Sequence, residues 1–257
     1  MIHSSEEEEF EHELDVFRIE IDSGTQFFYA YLAVNAALSA NKAALDAVNK
    51  APLFWGTNVG ALQAAFFITL GRIFDQKSNH NVDKLLRLAQ NNISIFSKEA
   101  LAKRKRKLSE NADEWLDDYL EDVYVPTSDD FRRLKKHIRK YRQIYEQKYR
   151  NIRHKIFVHK ELSKPDDIQR LYSMTNIGEL EKLCIFLNKL HQTLWELLSN
   201  GRKPILRPMR YSARNMRKRP QPEWYGQTVQ ERIVTETHTY FEMMTPKAQH
   251  YAAPDRR

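Results

Sequence analysis

The chain has 257 residues, a formal net charge of +7 and a single cysteine, Cys184. Such a length can bury a real core, whereas one cysteine excludes an internal disulfide framework and suits a reducing compartment. Seven glycines, plentiful Leu, Ala, Lys and Glu, and long proline-free stretches point to a mostly helical protein.

The charge is lopsided. Residues 201–257 hold 12 Lys/Arg against 5 Asp/Glu, while the first 200 hold 29 of each. A neutral body with a basic tail points to a polyanionic partner, nucleic acid before any other. The acidic start, Glu6 to Glu9 with Glu11 and Glu13, is the opposite of a secretory or transit peptide. No apolar run approaches the ~20 residues that span a bilayer. The expectation is a cytoplasmic protein without a membrane partner.

Residues 1–22 read as an acidic lead-in grading into a helix. From Thr25 to about Asn49, Phe27, Phe28, Tyr31, Leu32, Val34, Leu38, Leu45 and Val48 recur at helical spacing, and Pro52 ends the run. Leu53 to Asp75 is a second long helix, apolar around so much of its circumference that it belongs in the centre of a bundle or in a dimer. Its glycines, Gly56, Gly60 and Gly71, each cost about 1 kcal/mol relative to Ala, which suggests close helix contacts. Arg72 and Asp75 read as a polar pair at its end.

A short helix, Val82 to Gln90, is capped by Asn81. A basic run follows at Lys103 to Lys107, and Ser109 to Asp130 then contains no Lys or Arg. Thr127, Ser128 or Asp129 offers an N-cap for the next helix. That helix, Phe131 to Lys160, holds twelve Lys/Arg and one acid, Glu146, with Phe131, Leu134, Ile138, Tyr141, Tyr145, Ile152 and Ile156 toward the core. Its first half, Arg132 to Arg142, is expected to pair with the acidic segment at 110–122. Pro165 starts a further helix, Asn176 with Glu179 looks like a capping box, and a leucine stripe from Leu180 to Leu197 ends at Asn200-Gly201. Cys184 and His191 belong to or beside that stripe and read as packed residues. Beyond Gly201, residues 202–219 hold eight Lys/Arg and no acid, interleaved with Pro204, Pro208, Met209 and Tyr211. Cations with occasional rings suit single-stranded nucleic acid, as they also suit a solvated tail. The domain reading is therefore a lead-in (1–22), a helical domain (23–200) and a basic, partly extended tail (201–257).

The stretch Arg150 to His159 carries the chemistry. Arg153 supplies a planar, permanently charged fork for phosphate oxygens, and His154 and His159 can gain or lose a proton near neutral pH. These groups can cleave RNA without a metal, because the ribose 2′-hydroxyl is a nucleophile already in the substrate. A basic helix with two nearby histidines also suits a solvated face or a polyanion-binding surface. On an ideal helix Arg153 and His159 lie roughly 120° apart, so either the arginine reaches around, the helix distorts, or a dimer brings complementary groups together. Arg150 and His154, four apart, share a face.

Arg153-His154-Lys155-Ile156-Phe157-Val158-His159 resembles the signature of the HEPN superfamily: an arginine, a polar follower and a histidine at close spacing. A second block, Phe54-Trp55 through Gln63 and then Leu70-Gly71-Arg72-Ile73-Phe74-Asp75, is similar to the upstream helix of the AbiU-like abortive-infection branch. The resemblance covers roughly residues 20–200 and leaves the basic tail outside. It implies an all-α antiparallel bundle of four or more helices, dimerised so that two motifs face each other across a cleft. It further implies metal-independent endoribonuclease activity in toxin–antitoxin or phage-defence systems, with RNA as substrate, an antitoxin or regulator as partner, and no cofactor or metal. The catalytic positions fall on Arg153 and His159, with His154 beside the arginine. Arg150, Lys155 and Lys160 would hold flanking phosphates, joined by Arg210, Arg214 and Arg217 of the tail. Some HEPN toxins carry a tyrosine two residues after the histidine, where a partner modifies it; here that position is Glu161, so that route of neutralisation is not expected. The rival readings are a non-catalytic HEPN-type nucleic-acid-binding module and a purely structural interaction protein.

Overall fold

The structure, a computed structural model, describes residues 5–158, 165–206 and 228–244. It is all-α, and among the described residues there is no strand. The elements are α1 (Ser5–Ala40), α2 (Lys42–Asn49), α3 (Pro52–Phe74), α4 (Val82–Asn91), α5 (Lys98–Leu108), α6 (Leu116–Glu121), α7 (Ser128–Ile144), α8 (Arg150–Ile152), α9 (Pro165–Ser173), α10 (Ile177–Asn200) and α11 (Val229–Met243). Two π-helical stretches, Tyr145–Tyr149 and Arg153–Val158, flank the short α8.

The chain forms two compact units, one from residues 1–24 and 66–211, the other from 25–65 and 212–257. This division differs from the sequence reading at both ends. Residues 5–22, read as an acidic lead-in grading into a helix, are helical throughout and bury Phe10, Leu14, Phe17 and Ile21. Their acids face inward partners, which an acidic run does not advertise. Glu7 accepts from Arg104 at 2.9 Å, and Glu13 meets Lys84 at 2.9 Å and His80 at 3.1 Å. Those cations, with hydrogen bonds from both, hold the Glu13 carboxyl below its ordinary range although burial pushes it up.

In the first unit, α10 contributes the expected leucine stripe, with Leu180, Leu183, Leu187, Leu190, Leu194 and Leu197 all buried. Tyr141 of α7 stacks on Phe186 of α10, ring centroids 3.9 Å apart and 9° from parallel. Caps end these helices where local chemistry dictates. Asn81 accepts from the amides of Asp83 and Lys84, and the Asp130 carboxylate accepts from the Thr127 amide at 2.8 Å. At Asn176 the box is only half formed. Its side chain accepts from the Glu179 amide, but the Glu179 carboxylate turns instead to Lys148 and Tyr149.

In the second unit, Val34, Ala37, Ala44, Val48 and Phe241 form a small core that Trp55 and Val59 partly cover. Sequence reading puts α3 in the centre of a bundle or buried in a dimer. Its C-terminal half obeys, with Phe66, Phe67, Leu70, Ile73 and Phe74 buried, but Leu53 is 87% and Phe54 62% exposed. Gly56 and Gly60 meet no atoms within 4 Å of where a Cβ would stand, so neither makes the close contact expected. The expectation of no apolar run of spanning length needs correction too. Pro52–Phe74 is 23 residues long and apolar enough to cross a membrane by length and composition. A core helix passes the same test, and the buried C-terminal half is core.

Candidate active site around Arg153

The basic run starts as a regular α-helix and widens after Ile144. Two π stretches around a short α segment average about four residues per turn. That winding lines up Tyr145, Tyr149 and Arg153 on the inward side. A distortion, one of the three alternatives open for this helix, is therefore present up to Val158, and an angle computed for an ideal helix does not apply there. π turns arise where packing outweighs the better hydrogen-bond geometry of the α-helix.

Arg153 is drawn inward by three neighbours. Its Nη1 donates to Asp75 Oδ2 at 3.0 Å, with both side chains less than one-fifth exposed. Its aliphatic arm and Nε lie over Gly71: a Cβ there would stand 2.2 Å from Nε and 2.3 Å from Cδ. Only hydrogen fits between the helix and the arginine. The buried Tyr145 hydroxyl faces the same guanidinium, and among the described residues neither that hydroxyl nor Arg153 Nε has a hydrogen-bond partner. His154 Nε2 sits 3.4 Å from Arg153 Nη1, so the motif's arginine and first histidine are neighbours.

The electrostatics follow from this crowding. Burial alone would lower the Arg153 pKa, but Tyr145 and Asp75 beside it raise it instead. Burial pushes Asp75 up, yet hydrogen bonds from Arg153 and the Lys77 amide, with the charges of Arg153 and Arg150, hold it below the ordinary carboxylate range. Burial raises the Tyr145 hydroxyl against the opposing pull of Arg153. Asp75 thus stays ionised, Tyr145 stays neutral, and Arg153 stays charged. Asp75 occupies one of the five guanidinium donors, and it does so end-on rather than bidentately.

The pairing corrects one expectation. Arg72 and Asp75 are no end pair: Arg72 reaches Glu20 at 2.9 Å, and Asp75 is committed to Arg153, 78 residues along the chain. Of the other expected site residues, Arg150 is exposed and close enough to act on Asp75, and Lys155 is half-buried. His159, Lys160, Arg210, Arg214 and Arg217 lie outside the described residues, as does Glu161. Asp75, Gly71 and Tyr145 were not expected at the site. The block Leu70 to Asp75 marked the neighbourhood of the first two, whereas Tyr145 gave no signal apart from its place on the core face.

Further along, Lys148 donates to Glu179 at 2.6 Å and the Tyr149 hydroxyl donates to it at 3.0 Å, pinning the widened helix to the start of α10. Burial and Glu179 push Tyr149 up to about 12. Below it, Phe157 stacks on Phe67 of α3.

The family model for HEPN AbiU2, described as AbiU2, matches residues 7–216. The match is wider than the resemblance read from the motifs: it begins in the acidic start and takes in the tail as far as Met216. Among curated proteins and solved structures nothing matches the chain.

Proposed function

The chain belongs to the AbiU2 family of HEPN proteins, and on that premise we propose that it is a metal-independent endoribonuclease. Membership itself suggests an abortive-infection-related function. The observation that carries the catalytic reading is Arg153, held in a widened turn by Gly71, Asp75 and Tyr145 with His154 at 3.4 Å. A guanidinium fixed in this way needs no reorganisation when charge gathers on a phosphorane, so its contact strengthens in the transition state.

In this reading His159 takes the proton of the ribose 2′-hydroxyl, whose oxygen attacks the adjacent phosphorus. The P–O5′ bond breaks, and a histidine from the facing copy of a homodimer protonates the leaving oxygen. The products are a 2′,3′-cyclic phosphate and a 5′-hydroxyl. His154 stands beside the arginine, and Arg150 and Lys155, with Lys160, Arg210, Arg214 and Arg217, hold flanking phosphates. The substrate is cytoplasmic RNA, and a partner restrains the activity in a toxin or phage-defence setting.

A second reading has one observation in its favour. An arginine less than one-fifth exposed and paired with Asp75 is also what a helix-to-helix tie looks like, which suits a HEPN module that binds without cutting. End-group analysis of RNA incubated with the protein in chelator separates the two. Cyclic phosphate ends from wild type, lost in both Arg153→Ala and His159→Ala, support catalysis; equal cutting by His159→Ala and wild type sinks it.

A further inference from the structure

A second feature of the first unit lies outside the motif. Helices α5, α6 and α10 and residues 200–205 enclose an open cleft of about 1080 Å³. Three aromatic rings line it. Trp115 is 37% exposed and meets Tyr119 edge to face at 5.6 Å. Lys105 sits over the Tyr119 ring and Lys203 over Tyr124, each nitrogen 5.2 Å from the centroid. Lys189 and Arg202 add two more cations, against the carboxylates of Asp122 and Glu196. Of those, Glu196 is already engaged by Arg202 at 3.3 Å and by the Asn200 amide at 2.8 Å. The balance left for a ligand is cationic and aromatic together.

The basic tail departs from this cleft. Gly201, at φ +59°, makes the turn, and a Cβ there would strike Val123 at 2.6 Å. The Gly201 carbonyl accepts from the Tyr124 amide at 2.8 Å, and the Asn200 carbonyl accepts from the Tyr119 hydroxyl at 3.1 Å. The run of eight Lys/Arg over 202–219 is thus tethered at its first residues beside the rings. An acidic peptide would satisfy the cations but bring nothing to lie on the rings. A single-stranded polynucleotide satisfies both, with phosphates on the cations and bases on the aromatics.

We propose that this cleft binds single-stranded nucleic acid, with a base stacked at Trp115 and phosphates on Lys105, Lys189 and Lys203. For RNA, it takes the substrate class from the reading of the previous subsection, but binding here does not depend on cleavage.

The test uses the full chain and fluorescence anisotropy with a 2′-O-methyl oligouridine of about 12 nucleotides, which cannot be cut by its own 2′-oxygen, and a DNA oligothymidine of the same length. Trp115→Ala weakens binding roughly tenfold, and Trp115→Phe restores most of it. Lys189→Gln with Lys203→Gln makes the plot of log affinity against log salt shallower by about 1.4, or about 0.7 per phosphate contact. Equal losses on both oligonucleotides assign the site to single strands in general, and a loss confined to the ribose backbone assigns it to RNA. Wild-type affinity and salt slope in these variants overturn the proposal. So does an equal loss toward polyglutamate with no difference between Ala and Phe at position 115, since that marks plain charge attraction. If binding falls as stated while no cyclic phosphate ends form, the cleft stands and the nuclease reading falls.

Discussion

Two stretches of one basic run, Arg132 to Arg142 and Arg150 to Lys155, carry similar charge and use it differently. In the first, a regular α-helix turns Arg132, Arg133, Lys136, Arg139 and Lys140 outward. Its ion pairs go to Asp129, Asp130 and Asp83, not to the acidic segment at 110–122 as the charge pattern suggests. Arg142 alone turns in, where it pairs with Asp83 of α4, both largely buried. In the second stretch the winding widens, and an arginine is packed over a glycine and beside a tyrosine. Charge density does not distinguish the two inward arginines; the local winding does. One inward arginine ties helices together, and the other sits beside a histidine with donors to spare.

The sharpest way to test this contrast is to remove each inward arginine. Arg142→Ala leaves Asp83 uncompensated inside and should cost about 3–5 kcal/mol of folding stability, read by denaturant unfolding, with cleavage per folded molecule unchanged. Arg153→Ala should lower RNA cleavage at least ~100-fold, the scale of losing one donor to developing charge. An exposed neighbour, Arg139→Ala, should stay within about twofold. Equal activity in the Arg153 and Arg139 variants would erase the distinction. Next come the glycines of α3. Gly71→Ala forces Arg153 out of its seat and should cost about 1–3 kcal/mol, whereas Gly56→Ala, with open space around it, should gain up to about 1 kcal/mol. The opposite sign at either position contradicts the packing described.

Smaller effects test the core around the leucine stripe. Burial, with the charge of Arg18, lowers the His191 pKa to about 4, against about 6.5 in an unfolded chain. The unfolded chain therefore takes the proton first. The stability His191 contributes is full above pH 6.5 and is lost as pH falls toward 4. Melting temperatures should drop over that window, and the drop should be shallower in His191→Leu. Smallest of all, Cys184 is buried, and burial raises its thiol pKa well above the ordinary value, so iodoacetamide should label it only after unfolding.

Features that depend on neighbouring residues were legible in the sequence. The caps at Asn81, Thr127 and Gly201 depend on groups within three or four residues, and the Leu180 to Leu197 stripe depends on period alone. The arginine of the site was legible through its motif, but its surroundings were not. Asp75 meets Arg153 across 78 residues, and π turns follow from such tertiary contacts rather than from any local pattern. The division of α3 also escaped, because Leu53 and Phe54 are as apolar as Phe66 and Phe67; what differs is whether another element covers them.

The buried pair between Glu7 and Arg104 has a consequence for anyone trimming this protein. Arg104 also donates to the carbonyls of Ile95 and Leu198, both at 2.9 Å, so one guanidinium clamps three separate stretches of chain and Glu7 is its counter-ion. An acidic overhang of this kind invites deletion as a solubilising handle. Cutting it away strands a positive charge indoors, where added salt cannot reach to screen it, and the damage surfaces at the far end of α10 rather than at the cut.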